Sequence, residues 1–419
     1  MVQTKNTAET SQNSLAKNSL IVFAGSMGTN IISYVYHLLM GRMLGPSGYG
    51  ELSSLFSILY IFTVPLVVGQ TILVKFISQI KATGTINQTK SLFIKVSKLC
   101  ALSCLVFLPV IVFVSPMITH FLHLSSPVLF VLVYVLFVVT LLSIVTASVL
   151  QGYQQFAWFS ALSLAMLVIK LSLSIPFVVW GVMGVLLAAI IASVSVYGVY
   201  FIPMKKILKS EAKPAGIPKS DAIKFGVPTL LALLGVTSLY STDIILVRHY
   251  FSPAQAGTYA AIAILGKIIF YASSAVSQVM FPVISEKTAQ GAATKKIILT
   301  SLAGVTAIST LLSGVYFLIP DIIVRMLFGN AYVDASALLG YFGVFIAMFS
   351  IGNIMSLACL ALGHTGVWVI PIIAAILQIL AITTMHTSIL SVIVINIIVS
   401  VLLAIGTIGY YMVQSHEKI

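Results

Sequence analysis

Two lysines in the middle of long apolar segments are the residues whose chemistry most needs an explanation. Lys170 lies about thirteen residues into one segment and Lys267 about twelve into another, which at ~1.5 Å per helical residue places both near the centre of a bilayer. A lysine there costs about 2.5–3.5 kcal/mol even on the mildest insertion scale. We therefore expect each ammonium either to pair with a buried acid or to face a water-filled cavity, where it can bind an anion.

Three further cations fit the same interpretation. Lys75 lies near one end of its apolar segment, where it can also snorkel to the interface. Arg42 and Arg248 lie at the ends of two segments and are either interfacial anchors or a cationic ring at the mouth of a cavity. Guanidinium groups bind phosphate at two points, whereas lysine acts as a movable charge. Together the five cations suit an anionic substrate such as a pyrophosphate.

Two titratable groups at membrane depth are candidates for coupling to H+ or Na+. Asp243 is the one acid well inside an apolar segment, and His37 occupies the corresponding place in the first half of the chain. Each has a structural alternative. Asp243 can be the partner of Arg248, Arg42 or Lys267, and His37 can be an ordinary interfacial histidine.

The elements that position these residues are transmembrane helices. The 419 residues are 59% hydrophobic and 7% charged, with a mean hydropathy of +1.12, whereas soluble domains carry roughly 25% charged residues. Apolar runs of about 20 residues recur throughout, the length that crosses ~30 Å of hydrocarbon. We predict an all-α polytopic membrane protein with about twelve spans, near 19–40, 52–78, 97–118, 127–150, 157–179, 181–202, 225–247, 256–281, 297–319, 336–360, 366–386 and 389–412.

The positive charges predict the orientation. Of the 22 lysines and arginines, sixteen fall in predicted loops on one side, three arginines on the other, and three lysines within spans. By the positive-inside rule, both termini are in the cytoplasm and the protein lies in the cytoplasmic membrane. Because the net charge of +13 is spread over many short loops, it indicates topology rather than nucleic-acid binding.

An internal repeat predicts two pseudo-symmetric six-helix lobes. Tyr34, His37 and Arg42 have the same spacing as Tyr240, Asp243 and Arg248, 206 residues later. Similar offsets, 211 and 210, relate Gly152 to Gly363 and Trp158 to Trp368. The predicted organisation is a cytoplasmic tail (1–18), an N-terminal lobe (19–202), a cytoplasmic linker (203–224), a C-terminal lobe (225–412) and a second cytoplasmic tail (413–419).

Signals for enzyme chemistry are weak, and we expect no enzyme, no cofactor and no metal centre. His120 and His123 have a spacing that a metal site can use, but no cysteine or carboxylate nearby completes it. The sequence contains no P-loop. The acids of the predicted outer loops, Glu51, Asp321 and Asp334, are scattered.

Three stretches resemble the polysaccharide-exporter flippases of bacteria and archaea, in the multidrug/oligosaccharidyl-lipid/polysaccharide superfamily. They are GRMLGPSGYGELSSLFSILYIF, STDIILVRHYFSPAQAGTYAAIAILGKI and LQGYQQF. The resemblance implies two lobes around a central cavity, and a substrate made of an oligosaccharide on a polyprenyl pyrophosphate. It also implies a cation of span eight at the substrate, here Lys267, and an ion-coupling site in span seven, here Asp243. Spans eleven and twelve contain no acid to complete a sodium site.

We therefore expect a flippase that moves a lipid-linked oligosaccharide across the membrane by alternating access, for cell-surface polysaccharide biosynthesis. Its expected partners are that substrate, membrane lipids and the machinery of glycan polymerisation or ligation. The first alternative is a multidrug exporter of organic cations. Such substrates favour acidic residues in the cavity, whereas this chain has two lysines and one acid deep in its apolar segments. The second is a non-transporting scaffold for glycan assembly, which gains nothing from lysines buried in the membrane.

Overall fold

The protein is all-helical wherever its structure is described. The computed structural model describes residues 2–82, 86–209 and 219–416, and those residues contain no strand. Its helices are α1 (Val2–Ala82), α2 (Ile86–Leu122), α3 (Pro127–Gly152), α4 (Phe156–Phe177), α5 (Gly181–Leu208), α6 (Lys219–Leu239), α7 (Thr242–Tyr250), α8 (Pro253–Ala289), α9 (Lys295–Leu318), α10 (Pro320–Leu327), α11 (Ser336–Ala361), α12 (Val369–Thr384) and α13 (Ile389–His416).

Ten segments of the described residues are long and apolar enough to cross a membrane. The first, Ala24–Ala82, contains a break at Gly45, and the fourth, Phe156–Leu208, contains both α4 and α5. The all-α, multi-pass membrane architecture is therefore confirmed, and the exact count of twelve spans stays a prediction.

Two backbone breaks matter for function. At Gly45 the backbone adopts φ 68° and ψ 177°, a conformation that glycine reaches without a steric penalty. The second break, at Tyr240 and Ser241, separates α6 from α7 in the middle of an apolar segment. No glycine or proline marks this second break, and the sequence did not predict it.

The helices form two compact units. Unit 1 comprises Met1–Met40, Pro65–Thr119 and Ser125–Ala222. Within it, α5 packs against both α3 and α4. A buried cluster that includes Phe76, Ile77, Leu150 and Met204 joins these helices to the second part of α1 and to α2.

Unit 2 comprises Gly41–Val64, His120–Leu124 and Ile223–Ile419. Its central element is α11, which contacts α8, α9 and α13 and whose side chains are mostly buried. The turn after Gly45 packs directly on the start of α8. A Cβ on Gly257 would meet the Pro46 carbonyl oxygen at 1.6 Å, and one on Gly50 would meet the Gly257 nitrogen at 2.7 Å, so the two backbones touch there.

The lobe boundaries predicted from the repeat stay a prediction. The structure continues α5 to Leu208 and begins α6 at Lys219, so helix occupies both ends of the predicted linker. Residues 210–218 of that linker, and residues 417–419 of the predicted C-terminal tail, lie outside the described residues. The predicted N-terminal tail is helical from Val2 onward.

Candidate substrate and ion sites

The Lys170 site in unit 1 is a lysine held against an aromatic ring. Lys170 lies on α4, and its Nζ is 3.8 Å from the centre of the Tyr36 ring of α1. Tyr36 is fully buried. The ring attracts the ammonium through its quadrupole, worth about 2 kcal/mol or more when the pair is desolvated. A neutral ring offsets part of the cost of burying the ammonium and adds no negative charge of its own.

The other candidates of unit 1 lie on α1. His37 is buried, and its ring meets that of Tyr36 edge to face with centroids 5.4 Å apart. Lys75 is exposed, between the buried core residue Phe76 and the half-buried Val74. His37 and Lys170 therefore both contact the ring of Tyr36. Lys75 stays a predicted substrate contact.

The Lys267 site in unit 2 has the same chemistry with two rings. Lys267 is 7% exposed, so its charge is desolvated by the protein. Its Nζ lies 5.4 Å from the ring centres of both Tyr60 and Tyr240. It also interacts electrostatically with Asp243. Lys267 is thus positioned by two aromatic rings and one carboxylate.

Asp243 is the centre of a buried hydrogen-bond network. The break between α6 and α7 puts it in the first turn of α7, where the N-terminal dipole of a helix stabilises negative charge. Its Oδ2 accepts from the Tyr259 hydroxyl at 2.5 Å and from Asn396 Nδ2 at 3.4 Å. Its Oδ1 accepts from the Ile244 amide at 2.8 Å.

The network extends to α12 and α13 through two amides. Gln378 Nε2 donates to Asn396 Oδ1 at 2.9 Å and to the Leu239 carbonyl at 2.8 Å, an oxygen that the helix break leaves free of its helical partner. Both amide side chains are fully buried. Within the described residues, Gln378 Oε1 accepts no hydrogen bond. An acceptor buried without a donor is costly, and it is available to a cation.

Sequence reasoning missed Gln378 and Asn396. Both lie in the last two predicted spans, where the sequence analysis considered only acids as residues that could complete an ion site. The structure supplies amides there instead. Asn396 turns its Nδ2 to Asp243, and its Oδ1 accepts from Gln378. The carboxylate of Asp243 and the Oε1 of Gln378 are therefore the oxygens that Na+ or a proton-coupled site can use.

Arg42 and Arg248 both donate to the last carbonyls of a helix. Arg42 donates through Nε to the Leu327 carbonyl at 2.9 Å and through Nη2 to the Met326 carbonyl, at the end of α10. Arg248 donates through Nε to the Leu122 carbonyl at 2.9 Å and through Nη2 to the His123 carbonyl at 2.8 Å, at the end of α2. Such carbonyls have no partner in their own helix, so both arginines fix helix ends.

The two arginines differ in their exposure to solvent. Arg248 is 3% exposed and interacts electrostatically with the buried Glu51. Arg42 is exposed and lines a cavity of about 430 Å³ together with Arg325 and Tyr332. Of the two, Arg42 is the guanidinium that a ligand can reach. The two arginines are 206 residues apart, and the helix ends that they cap are 205 residues apart. The residues that the two arginines contact are thus related by nearly the same offset as the internal repeat.

No group of three or more histidine, cysteine or acidic side chains that could hold a metal ion exists among the residues with described positions.

Comparison with known proteins identifies the family. The family model described as polysaccharide biosynthesis protein matches residues 15–287. The chain belongs to this family. The resemblance of its first hairpin and of its span seven to eight region to polysaccharide exporters is thereby confirmed. None of the curated protein sequences matches the chain.

Solved structures confirm the fold of this polysaccharide biosynthesis protein. It is similar to the lipid II flippase MurJ in an inward closed conformation, with a TM-score of 0.74 and 13% identity over 93% of this chain and 87% of that one. An inward-facing MATE multidrug resistance transporter gives a TM-score of 0.72 and 12% identity over 95% and 97%. A superfamily transporter from Pyrococcus furiosus gives 0.65 and 16% over 96% of each chain. The predicted superfamily fold is confirmed.

Proposed function

We propose that this protein is a flippase that moves a polyprenyl-diphosphate-linked oligosaccharide across the cytoplasmic membrane by alternating access, for cell-surface polysaccharide biosynthesis. The observation that carries the proposal is a lysine held by aromatic rings within a membrane-spanning segment of each unit, Lys170 at Tyr36 and Lys267 at Tyr60 and Tyr240. A lysine at this depth is expensive in a membrane, and binding of a diphosphate would offset that cost. Membership of the polysaccharide biosynthesis family supports this substrate class.

The proposed roles follow the placements. Lys170 and Lys267 contact the diphosphate, Lys75 attracts it from the cytoplasmic side, and exposed Arg42 contacts it at release. Arg248, which is buried and fixes the end of α2, is proposed to assist release together with Arg42. The positive-inside pattern supports cytoplasmic termini. Glycan polymerisation or ligation machinery is the expected consumer of the flipped product.

We further propose that transport is coupled to Na+ or H+ at Asp243, with Gln378 Oε1 as a further oxygen ligand if the ion is Na+. His37 is the second candidate for a proton. The ion supplies charge compensation at a buried carboxylate. The chain's own part is to hold that carboxylate at the α6–α7 break and next to Lys267, so that occupancy of Asp243 changes the charge that Lys267 offers to the substrate.

Asp243→Asn is expected to abolish the acceleration of transport by an applied Na+ or H+ gradient. Asparagine removes the charge and keeps one oxygen for the Tyr259 hydroxyl, while its NH2 replaces the oxygen that accepts from the Ile244 amide. The measurement is transport by purified protein in vesicles with and without each gradient. Asp321→Asn is the matched control, because Asp321 is an exposed acid in the first turn of the short helix α10. A gradient response of normal size in Asp243→Asn would contradict the coupling role.

A cell experiment tests the function against the multidrug alternative. Depletion of the protein in its source cells should deplete surface polysaccharide and accumulate lipid-linked oligosaccharide in the cytoplasmic leaflet, while accumulation of cationic dyes stays unchanged. Increased dye accumulation with normal surface polysaccharide would instead favour a drug exporter. Normal polysaccharide and normal dye levels would reject both transport functions.

A further inference from the structure

Unit 1 contains a cavity of about 420 Å³ with a mostly apolar wall, and Lys170 is not part of its lining. Helices α1, α3, α4 and α5 contribute its lining. The polar lining groups are neutral: hydroxyls such as Thr29, Thr140, Ser163 and Ser193, and the amides Asn30 and Gln70. The volume falls within the ~300–1,000 Å³ typical of small-molecule sites. An apolar wall with several neutral polar groups suits a ligand that has both apolar and hydrogen-bonding surfaces.

The hydroxyl protons of this cavity are already used. Four hydroxyls donate to the carbonyl one turn earlier in their own helix, at 2.7–2.8 Å: Thr29 to Gly25, Thr140 to Leu136, Ser163 to Phe159 and Ser193 to Ala189. A hydroxyl has one proton and two lone pairs. These four groups therefore offer lone pairs to the cavity, whereas the amides of Asn30 and Gln70 can also donate. The matching ligand has hydrogen-bond donors for the hydroxyl oxygens and can also accept.

Size and charge decide which donor-rich ligand fits. A bare cation needs several oxygens around it at ~2.3–2.6 Å, and a cavity of 420 Å³ lined by no acid does not provide such a cage. The aromatic rings of Phe159 and Tyr200 and aliphatic groups make up the rest of the wall. Donor hydroxyls on an otherwise apolar ring are the chemistry of a sugar.

The cavity continues toward the Lys170 site along two helices. On α1, Thr29, Ser33 and Tyr36 are four and three residues apart, so they share one face. On α4, Ser163, Met166 and Lys170 are likewise spaced by three and four. The walls that hold the hydroxyls thus end, one turn further, in the Lys170–Tyr36 contact. A neutral compartment next to a cation matches a neutral glycan joined to a diphosphate.

We infer that this cavity of unit 1 binds the first sugar residues of the transported glycan, through the hydroxyl oxygens of Thr29, Thr140, Ser163 and Ser193, while Lys170 holds the adjoining diphosphate. The inference rests on the proposed flippase function and deepens it. In this arrangement the cavity recognises the glycan, and Lys170 attracts the diphosphate that joins the glycan to the lipid.

The test compares two substrates in vesicles that contain the purified full chain. One is the lipid-linked oligosaccharide extracted from the source cells, and the other is glycan-free polyprenyl diphosphate. The variant Thr29→Val/Thr140→Val removes two acceptors and keeps the side-chain shape. Thr71→Val is the matched control, because Thr71 on α1 makes the same hydrogen bond to Val67 but is exposed and outside the cavity.

We expect the double variant to slow transport of the glycan-bearing lipid about tenfold and to leave the glycan-free lipid within about twofold, with both rates normal in Thr71→Val. Ser163→Ala should likewise slow only the glycan-bearing lipid. It replaces the double variant as the test if the double variant has a lowered thermal midpoint. Equal losses for both lipids, no loss for either, or a change confined to the Na+ dependence would overturn the inference. If the wild type moves neither lipid, the proposed function fails instead.

Discussion

Replacing Lys170 or Lys267 with methionine is expected to reduce transport of lipid-linked oligosaccharide at least about 30-fold, while the protein inserts and folds normally. Loss of one partner of a buried charge pair costs about 2–5 kcal/mol, and each 1.36 kcal/mol is a tenfold change in rate. Methionine fills a similar volume against the Tyr36 ring, or against Tyr60 and Tyr240. It also avoids the insertion cost of a charge.

The measurement pairs transport rate with the thermal midpoint of the detergent-purified protein. Lys98→Met is the control, because Lys98 is an exposed lysine of α2. A substrate role predicts slow transport with an unchanged or raised midpoint in the two test variants. Lys170→Arg, which keeps the charge, should retain part of the rate. Wild-type transport in both methionine variants, or a lowered midpoint that accounts for the loss, would contradict the substrate role.

The second large effect is expected at the contact between the first hairpin and α8. Gly257→Ala should prevent recovery of stable, monodisperse protein, because its Cβ would lie 1.6 Å from the Pro46 carbonyl oxygen and 2.3 Å from the carbonyl carbon. Overpacking ordinarily costs about 1–3 kcal/mol, and here the obstacle is backbone, which cannot rotate away. Gly50→Ala should destabilise less, since its nearest atom is at 2.7 Å.

Gly304→Ala is the matched control for this prediction. It is a helical glycine of α9 with no atom within 4 Å of the added Cβ, and alanine favours the helix by about 1 kcal/mol. Yield after size-exclusion chromatography and the thermal midpoint are the readouts. A Gly257→Ala protein that purifies and melts like the wild type would show that the hairpin is not packed on α8 in this way.

The sequence predicted the helices well for a physical reason. Hydrocarbon provides no hydrogen-bond partner, so each span must be a helix about as long as the bilayer is thick. The depth of Lys170 and Lys267 follows from the same geometry. Their aromatic contacts do not, because the residues that approach them, Tyr36 and Tyr60, come from distant parts of the chain.

The ion site was harder to predict. Asp243 was recognisable as an acid within a span, but its amide partners Gln378 and Asn396 resemble ordinary interhelical hydrogen-bonding residues. The break at Tyr240–Ser241 carries no glycine or proline. The hydrogen bond that the Leu239 carbonyl loses at the break is replaced by one from Gln378, which is distant in the sequence. The capping roles of Arg42 and Arg248 also lack a signal, since their partners are backbone carbonyls.

The two units use related chemistry in different ways. In unit 1, Lys170 adjoins a neutral hydroxyl-lined cavity. In unit 2, Lys267 adjoins a titratable carboxylate with a buried polar network. In the proposed mechanism, unit 1 would recognise the glycan and unit 2 would link the substrate charge to the coupling ion. The two sets of variants proposed above can separate these functions.

The central claim is tested most directly by reconstitution. Purified protein is placed in vesicles that carry labelled polyprenyl-diphosphate oligosaccharide in both leaflets, and a membrane-impermeant enzyme that cleaves the glycan is added outside. Without transport, cleavage stops when the outer leaflet is consumed. Our account predicts that the wild-type protein makes essentially all of the label accessible and that Lys170→Met protein, assayed over the same short interval, leaves close to half protected. Half protection with the wild-type protein, equal to that of protein-free vesicles, would contradict it.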